Sequence, residues 1–544
     1  DDIEFTTGNL ITSGTGTILV QADSDSSGAG DLKFTNAGGS ETTAKVRAVN
    51  GTIQLKGENI YFNDYAAKTD GKIEILAGQG GSSTGEIYST SASASQTAAF
   101  DLKAGSFDIE QRTGETATVN GDEGIGIGGI TLTAATNASP IVVTSNGHGL
   151  SNGDQAIISG VVGNTAANGT FTVTNVTANT FSLSSSTGNG AYTSGGLATS
   201  SALGTLQIDS AGQVDAEADG PIKISSVAGS ALSVGLIDAG TNDVTLIGDS
   251  GVTHTGNDAA TDVIAGTLKI ENESTGSAKT ITLDTAVTTL NLIGGAVTIH
   301  DGDGIDITSI TATSLHLLTN GKITDSGDID VTGEAKFNST GNEILLGDGK
   351  AADGTTVVAE TTGFGWLDFA GGVITISEDD SMAIAASEAT GALSLTANGA
   401  ITQTTDATAG PIDAISTSSF DAGANVITLT QANDFAGAVS LSNTGDHLVE
   451  VTDANAIDLG TVDVGGEIIV KSTGTITDSG NLTVADLATL VSGGNAITLG
   501  DGFAADGTTA NGTTANFDSI DFAGSTVTIT EAGDMSIAAS EATG

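Results

Sequence analysis

The chain has 544 residues with 66 acidic and 15 basic side chains, a formal net charge of −51, which repels nucleic-acid phosphates and anionic lipid heads. It has no cysteine, so disulfides and thiol catalysis are excluded, and no apolar run of about 18 residues offers a transmembrane helix. Gly accounts for 77 residues and Pro for 3, while Ile, Val and Leu recur in short bursts between Gly, Asn and Asp turns. Such bursts indicate ordered β structure rather than disorder.

Residues 1–135 read as strands of three to five residues: Asn9–Ile11, Thr17–Val20, Leu32–Phe34, Ala44–Val46, Thr52–Leu55, Ile60–Phe62 and Lys72–Leu76. Turns of Gly, Ser, Asn and Asp separate them every six to twelve residues, and no 3.6-residue apolar stripe of helical length is present. Short, evenly spaced strands predict an elongated parallel β-solenoid, or β-helix, with Ile, Val and Leu stacked inside and Thr and Ser outside. A coil of about 22 residues would suit that spacing. Gly and Asn would supply the positive φ of tight corners.

The texture changes at residues 136–198. Pro140–Thr144 is followed by His148-Gly-Leu-Ser-Asn-Gly-Asp154, the strand Gln155–Ile158, Asn168–Val173, Thr180–Leu183 and a closing Tyr192–Gly196. This order of motifs resembles the small β-barrel domain that is similar to the first catalytic cysteine half-domain of ubiquitin-activating enzymes and recurs in phage and bacterial structural proteins. The resemblance implies a compact barrel inserted in the solenoid, and nothing catalytic carries over, since the segment has no cysteine.

From residue 199 the short strands resume, through Leu206–Ile208, Ile222–Ile224, Val244–Ile247, Thr267–Ile270 and Ile281–Leu283. Gly321–Gly391 and Gly474–Gly544 then match without a gap at an offset of 474 − 321 = 153, with more than half of the paired positions identical. Duplication on this scale marks an array in which each unit buries its apolar edge against the next. The expected division is 1–135 solenoid, 136–198 barrel, 199–277 solenoid, and repeat units at 278–423 and 424–544. The second copy stops where the first continues into Ala392-Leu393-Ser394-Leu395, so the chain is expected to be part of a longer protein.

Phrases such as Gly399-Ala-Ile-Thr-Gln-Thr404, Gly474-Thr-Ile-Thr-Asp-Ser-Gly480 and Asn495-Ala-Ile-Thr-Leu-Gly-Asp501 resemble the repeats of large bacterial surface adhesins, of filamentous-haemagglutinin-type exoproteins and of β-rich surface-layer proteins. That resemblance implies an extracellular, cell-surface structural or adhesive role. It also implies homo-polymeric or other cell-surface partners and no enzyme activity. The alternatives are a self-assembling filament or surface-layer subunit, a phage-type fibre, and a solenoid polysaccharide-cleaving enzyme.

Two motifs copy catalytic signatures. Gly248-Asp-Ser-Gly251 matches the surroundings of a serine nucleophile, but the one upstream histidine, His148, lies in a turn of the barrel segment, so a turn is the reading. Gly124-Ile-Gly126-Ile-Gly-Gly129 fits a phosphate-cradling pattern, yet Ile130-Thr-Leu-Thr reads as a strand where a helix is needed. The five histidines lack zinc-site spacing.

Calcium is the ligand weighed most closely. Hard cations take several oxygens on tight turns. Asp301, Asp303 and Asp306 in one turn, and the duplicated pairs Asp348 with Asp353 and Asp501 with Asp506, have that character, as do Asp23, Asp25 and Asp31. The competing reading is that these aspartates serve turn geometry alone.

Overall fold

Alternation makes the strands. In Ile18–Gln21, Ile53–Lys56 and Ile141–Thr144, every second side chain is buried, the period of a pleated strand with one face on a core. The computed structural model describes residues 279–543 except 406–407, 504–506 and 511, and residues 130–145, 161–177 and 179–200. Elsewhere it describes 2–5, 10–11, 17–22, 32–34, 46–47, 53–57, 60–62, 67–68, 72–77, 87–89, 102–104, 106–111, 152, 155–159, 206–210, 214–218, 222–226, 231–248, 250–254 and 260–271. These residues form an all-β chain, a parallel β-solenoid carrying a small antiparallel barrel, with one short 3-10 turn at Thr165–Ala167. The chain divides into two compact units, Asp1–Ala286 and Val287–Gly544, described in turn.

In the first unit the strands stack in parallel register. Ile18 and Val20 pair with Ile53 and Leu55, which pair in turn with Ile73 and Ile75. Leu102 pairs with Ala67 on one side and with Ile208 on the other, and Phe107 likewise with Ile73 and Val214. The ladder therefore skips from residue 111 to residue 206 without losing register. Whatever lies between is an insertion in a coil, as the sequence predicts.

Among the described residues, that insertion holds seven antiparallel strands. Ile141–Thr144, Gln155–Ser159, Gly169–Thr174 and Thr180–Leu183 fall within a residue or so of the expected strands. The short run Ile130–Ala135 closes the barrel: its first half pairs with Leu197–Ser200 and its second half with Ile141–Thr144. Phe181, Leu183, Ile141, Val143 and Val173 are fully buried inside. The closing segment is tied by the Tyr192 hydroxyl, which donates to the Leu132 carbonyl at 2.7 Å. Gly124–Gly129 lie outside the described residues, but Ile130–Thr131 after them is a strand. Asp249 lies outside the described residues, but the Gly251 N–H donates to the Gly248 carbonyl at 3.0 Å, the closure of a turn.

In the second unit like residues stack on like. Ile305, Ile323, Ile344, Ile374 and Leu393 form one continuous inner row. Leu317, Phe337 and Phe369 form part of another. Each fully buried side chain of this kind contributes roughly 1.5–3 kcal/mol. Edge-to-face contacts at 5.7 Å between Phe337 and Phe364, and at 5.8 Å between Phe420 and Phe435, fill the wider coils. On the outside, Lys471 pairs with Glu450 at 2.6 Å and His316 with Glu334 at 2.8 Å, both between neighbouring coils.

The 153-residue spacing is a whole number of coils. Seven successive pairings lead from Leu315 to Ile468, through Ala335, Leu367, the strand Met382–Ile384, Ile401, Ile427 and Val449. The mean coil is thus about 22 residues. Half of that spacing is also visible. Val297, Ile374, Val449 and Val527 open similar segments, Val-Thr-Ile-His-Asp, Ile-Thr-Ile-Ser-Glu, Val-Glu-Val-Thr-Asp and Val-Thr-Ile-Thr-Glu. Val297 and Val449 lie on the ladder of Leu315 and Ile468, whereas Ile374 and Val527 lie on the ladder of Ile344 and Ile497. Equivalent segments alternate between two ladders, so each spans an odd number of half-coils.

The duplicated Gly-Asp-Gly and Ala-Asp-Gly-Thr-Thr turns are more than corners. In the first copy they form an excursion from one long coil, closed by an antiparallel bridge between Lys350 and Val357, and in the second Phe503 and Ala510 are bridged in the same way. Val357 in this excursion is 84% exposed.

Candidate functional site

Four acidic residues end the equivalent segments just described: Asp301, Glu378, Asp453 and Glu531. Each accepts a backbone N–H from an earlier strand or its approach: Val287 at 3.0 Å, Phe364 at 2.9 Å, Phe435 at 2.9 Å and Phe517 at 3.1 Å. Asp301, Glu378 and Asp453 are buried. A carboxyl at the inner corner of a coil satisfies a main-chain donor that the ladder leaves over. Burial raises the Glu378 carboxyl to about 7 against the Phe364 N–H bond, and pushes Asp453 up as well.

A second repeated position is Asp325, Gln403 and Asp478, the last residue of Ile-Thr-Asp, Ile-Thr-Gln and Ile-Thr-Asp. Asp325 is fully buried and accepts the Gly347 N–H at 3.1 Å with both oxygens. Its carboxyl is raised to about 8, chiefly by burial and further by Glu360, Asp348 and Asp306 nearby. Glu360 is raised by burial too, with Asp348 and Asp306 adding to it. Asp478 accepts the Gly500 N–H at 2.9 Å and is likewise raised. In the second copy Thr513 replaces Glu360 and Phe503 replaces Lys350, so an acid and a base are lost together.

Of the aspartates singled out from sequence, Asp306 and Asp348 thus lie close enough to Asp325 and Glu360 to raise both electrostatically. Cations stand beside this group: Lys350 Nζ lies 3.4 Å from Asp348, and Lys322, Lys350 and Asp348 line one shallow depression. Asp306 accepts the hydroxyls of Thr324 at 3.0 Å and Ser326 at 2.7 Å. Asp301 is buried and takes the Asp303 N–H at 2.9 Å, while Asp303 itself is exposed. Asp353 stands apart in an exposed turn, where the side chain and N–H of Thr356 and the N–H of Thr355 hold its carboxyl below the usual range. Asp501 accepts the Phe503 N–H at 2.9 Å in the matching turn. Asp506, Asp23, Asp25 and Asp31 lie outside the described residues.

Sequence spacing missed one constellation. Among the described residues, the group whose metal-ligating atoms all lie within 4.8 Å of one another is His254, Asp262 and Asp284. His254 ends the strand Gly251–His254, Asp262 immediately precedes Val263–Glu271, and Asp284 sits within Thr280–Ile293. Its spacings of 8 and 22 residues match no zinc motif. Only the coil, returning the chain to the same level, unites them.

Comparison with known families adds two matches. A family model described as "Repeats of unknown function (DUF5649)" matches residues 294–360, 370–442 and 446–509. The starts are 76 residues apart in each case, the half-spacing that alternates between ladders. A model described as "Ubiquitin-activating enzyme E1 FCCH domain" matches residues 139–201, the inserted barrel. No curated protein and no solved structure matches the chain. The chain is a structural repeat protein with an inserted domain that is similar to the second model. Among the described residues no helix is long and apolar enough to cross a membrane.

Proposed function

We propose that this repeat protein works as a secreted, extracellular component of a bacterial surface, a stiff rod whose role is structural or adhesive and not catalytic. The observation that carries the reading is the parallel ladder that runs through the described residues of 287–543, in which homologous segments are interchangeable building blocks. A fold that grows by adding identical steps is suited to setting a length, and it needs no cleft. The strongly acidic surface fits a polymer that stays hydrated and does not stick to nucleic acid or anionic lipid. The inserted barrel is the natural place for a binding surface, since it leaves the ladder without disturbing its register.

Immunolabelling of intact source cells, followed by negative-stain microscopy of the native material, tests the proposal. Surface label with isolated rods supports it. Label that appears only after lysis, or compact particles, refutes it. Ordered polymers or lattices would instead favour the self-assembling filament or surface-layer subunit.

A further inference from the structure

We propose that His254, Asp262 and Asp284 form a site for a divalent first-row transition ion, of which zinc is the type, that cross-links two adjacent passes of the coil. His254 Nδ1 lies 3.5 Å from Asp262 Oδ2 and 4.0 Å from Asp284 Oδ2. All three ligand atoms lie within 4.8 Å of one another; a tetrahedral ion with ligand bonds of about 2.0–2.1 Å holds them roughly 3.3–3.5 Å apart, so closing the triad on an ion takes side-chain movement on the order of an ångström. The donor set is one imidazole nitrogen and two carboxylates, and the nitrogen selects against calcium and magnesium, which take oxygen ligands.

Preorganisation points the same way. Asp262 is buried and Asp284 and His254 are largely shielded from water. The Asp262 carboxylate is already oriented: its Oδ2 accepts the Asp284 N–H at 2.8 Å, and the Asp262 N–H donates to the Asp284 carbonyl at 2.7 Å. Outer hydrogen bonds of this kind fix ligating groups in place. Three protein ligands leave a fourth position for water.

The site lies outside the acidic turns considered for calcium. None of Asp301, Asp303, Asp306, Asp348, Asp353, Asp501 and Asp506 belongs to it. It ties the strands Gly251–His254 and Thr280–Ile293, which pair directly through Val252 and Ile281, to the start of Val263–Glu271. An ion here would act as a staple for a chain without disulfides.

The test uses the whole chain, stripped with chelator and titrated with cobalt(II) as a spectroscopic probe in excess calcium, then with zinc as competitor. The expected result is one equivalent with the intense visible absorption of tetrahedral cobalt, displaced by zinc and not by calcium. His254→Ala and Asp284→Asn should each weaken that equivalent by at least about a hundredfold, since even outer partners are worth roughly 10–100-fold. His316→Ala, which removes an exposed histidine paired with Glu334, should leave it unchanged. Asp284→Asn keeps the shape of the side chain and serves as the deciding variant if His254→Ala loses its far-ultraviolet signature. The proposal is overturned by any of three results: no tetrahedral signal in the wild-type chain, a signal that survives Asp284→Asn, or displacement by calcium at equal concentration.

Discussion

Asp325→Asn isolates the cost of a charge inside the solenoid. The Asp325 carboxyl is raised from 3.8 to about 8, mainly by burial. Between those values the folded chain holds a proton that the unfolded chain has released. The stabilisation from this group is therefore complete below about 3.8 and is lost as pH rises through about 8. The slope is roughly 1.4 kcal/mol per pH unit, which makes the loss between pH 5 and pH 7 on the order of 3 kcal/mol. The chain already holds the control residue: at the equivalent place Gln403 is a neutral amide, bonded to Asn433 at 2.8 Å, to the Gly410 carbonyl at 3.2 Å and to the Gln431 N–H at 2.9 Å. An amide is thus compatible with the corner. Since arrays open locally, the suitable readout is exchange protection of the Gly347 amide, which donates to Asp325, corrected for intrinsic rate. Wild-type protection should fall about a hundredfold from pH 5 to pH 7, and in Asp325→Asn this fall should largely disappear. Parallel pH slopes in the two proteins would refute the reasoning.

Other predictions follow from packing, backbone and register. Phe369→Ala, at a fully buried position stacked on Phe337, should cost about 3–5 kcal/mol in denaturant titration. Gly347→Ala places a Cβ 2.2 Å from the Ser377 carbonyl at φ +63, whereas Gly349→Ala, at φ +72, meets nothing within 4 Å. The second should cost about 1 kcal/mol and the first clearly more; equal melting temperatures would contradict the close approach. Joining Gln111 to Leu206 through a short loop should remove the barrel yet keep the parallel-β circular dichroism, because Leu102 and Phe107 already pair with Ile208 and Val214. Millimolar calcium should leave the melting temperature unshifted, as Asp353 and Asp501 are engaged in their own turns; a rise with calcium concentration would restore those aspartates as ligands.

Much of the fold was legible because it rests on period-two patterning and turn chemistry. Thr180–Leu183, Leu32–Phe34 and Ile60–Phe62 were placed to the residue, and the barrel was set off by its change of texture. The acidic turns were legible as turns, although their closure into a bridged excursion at Lys350 and Val357 was not, since a cross-bridge seven residues apart leaves no apolar signal. Asp325 and Glu378 were passed over as two acids among 66, because sequence does not say which acids point inward.

The sequence by itself determined where strands begin and end, that they stack in repeating groups, and that a foreign module interrupts them. Each of those follows from local alternation, glycine placement or direct repetition. The tertiary structure alone decided which residues meet across coils. Successive coils on the Leu315 ladder advance by 20, 32, 17 and then about 19 residues, so no fixed spacing predicts a neighbour. That irregularity hid the alternation of the half-repeats between two ladders, the buried carboxyls at the corners, and the approach of His254 to Asp262 and Asp284. Excursions from the coil set its length locally, and hydrogen bonding between neighbouring strands restores the register that the spacing conceals.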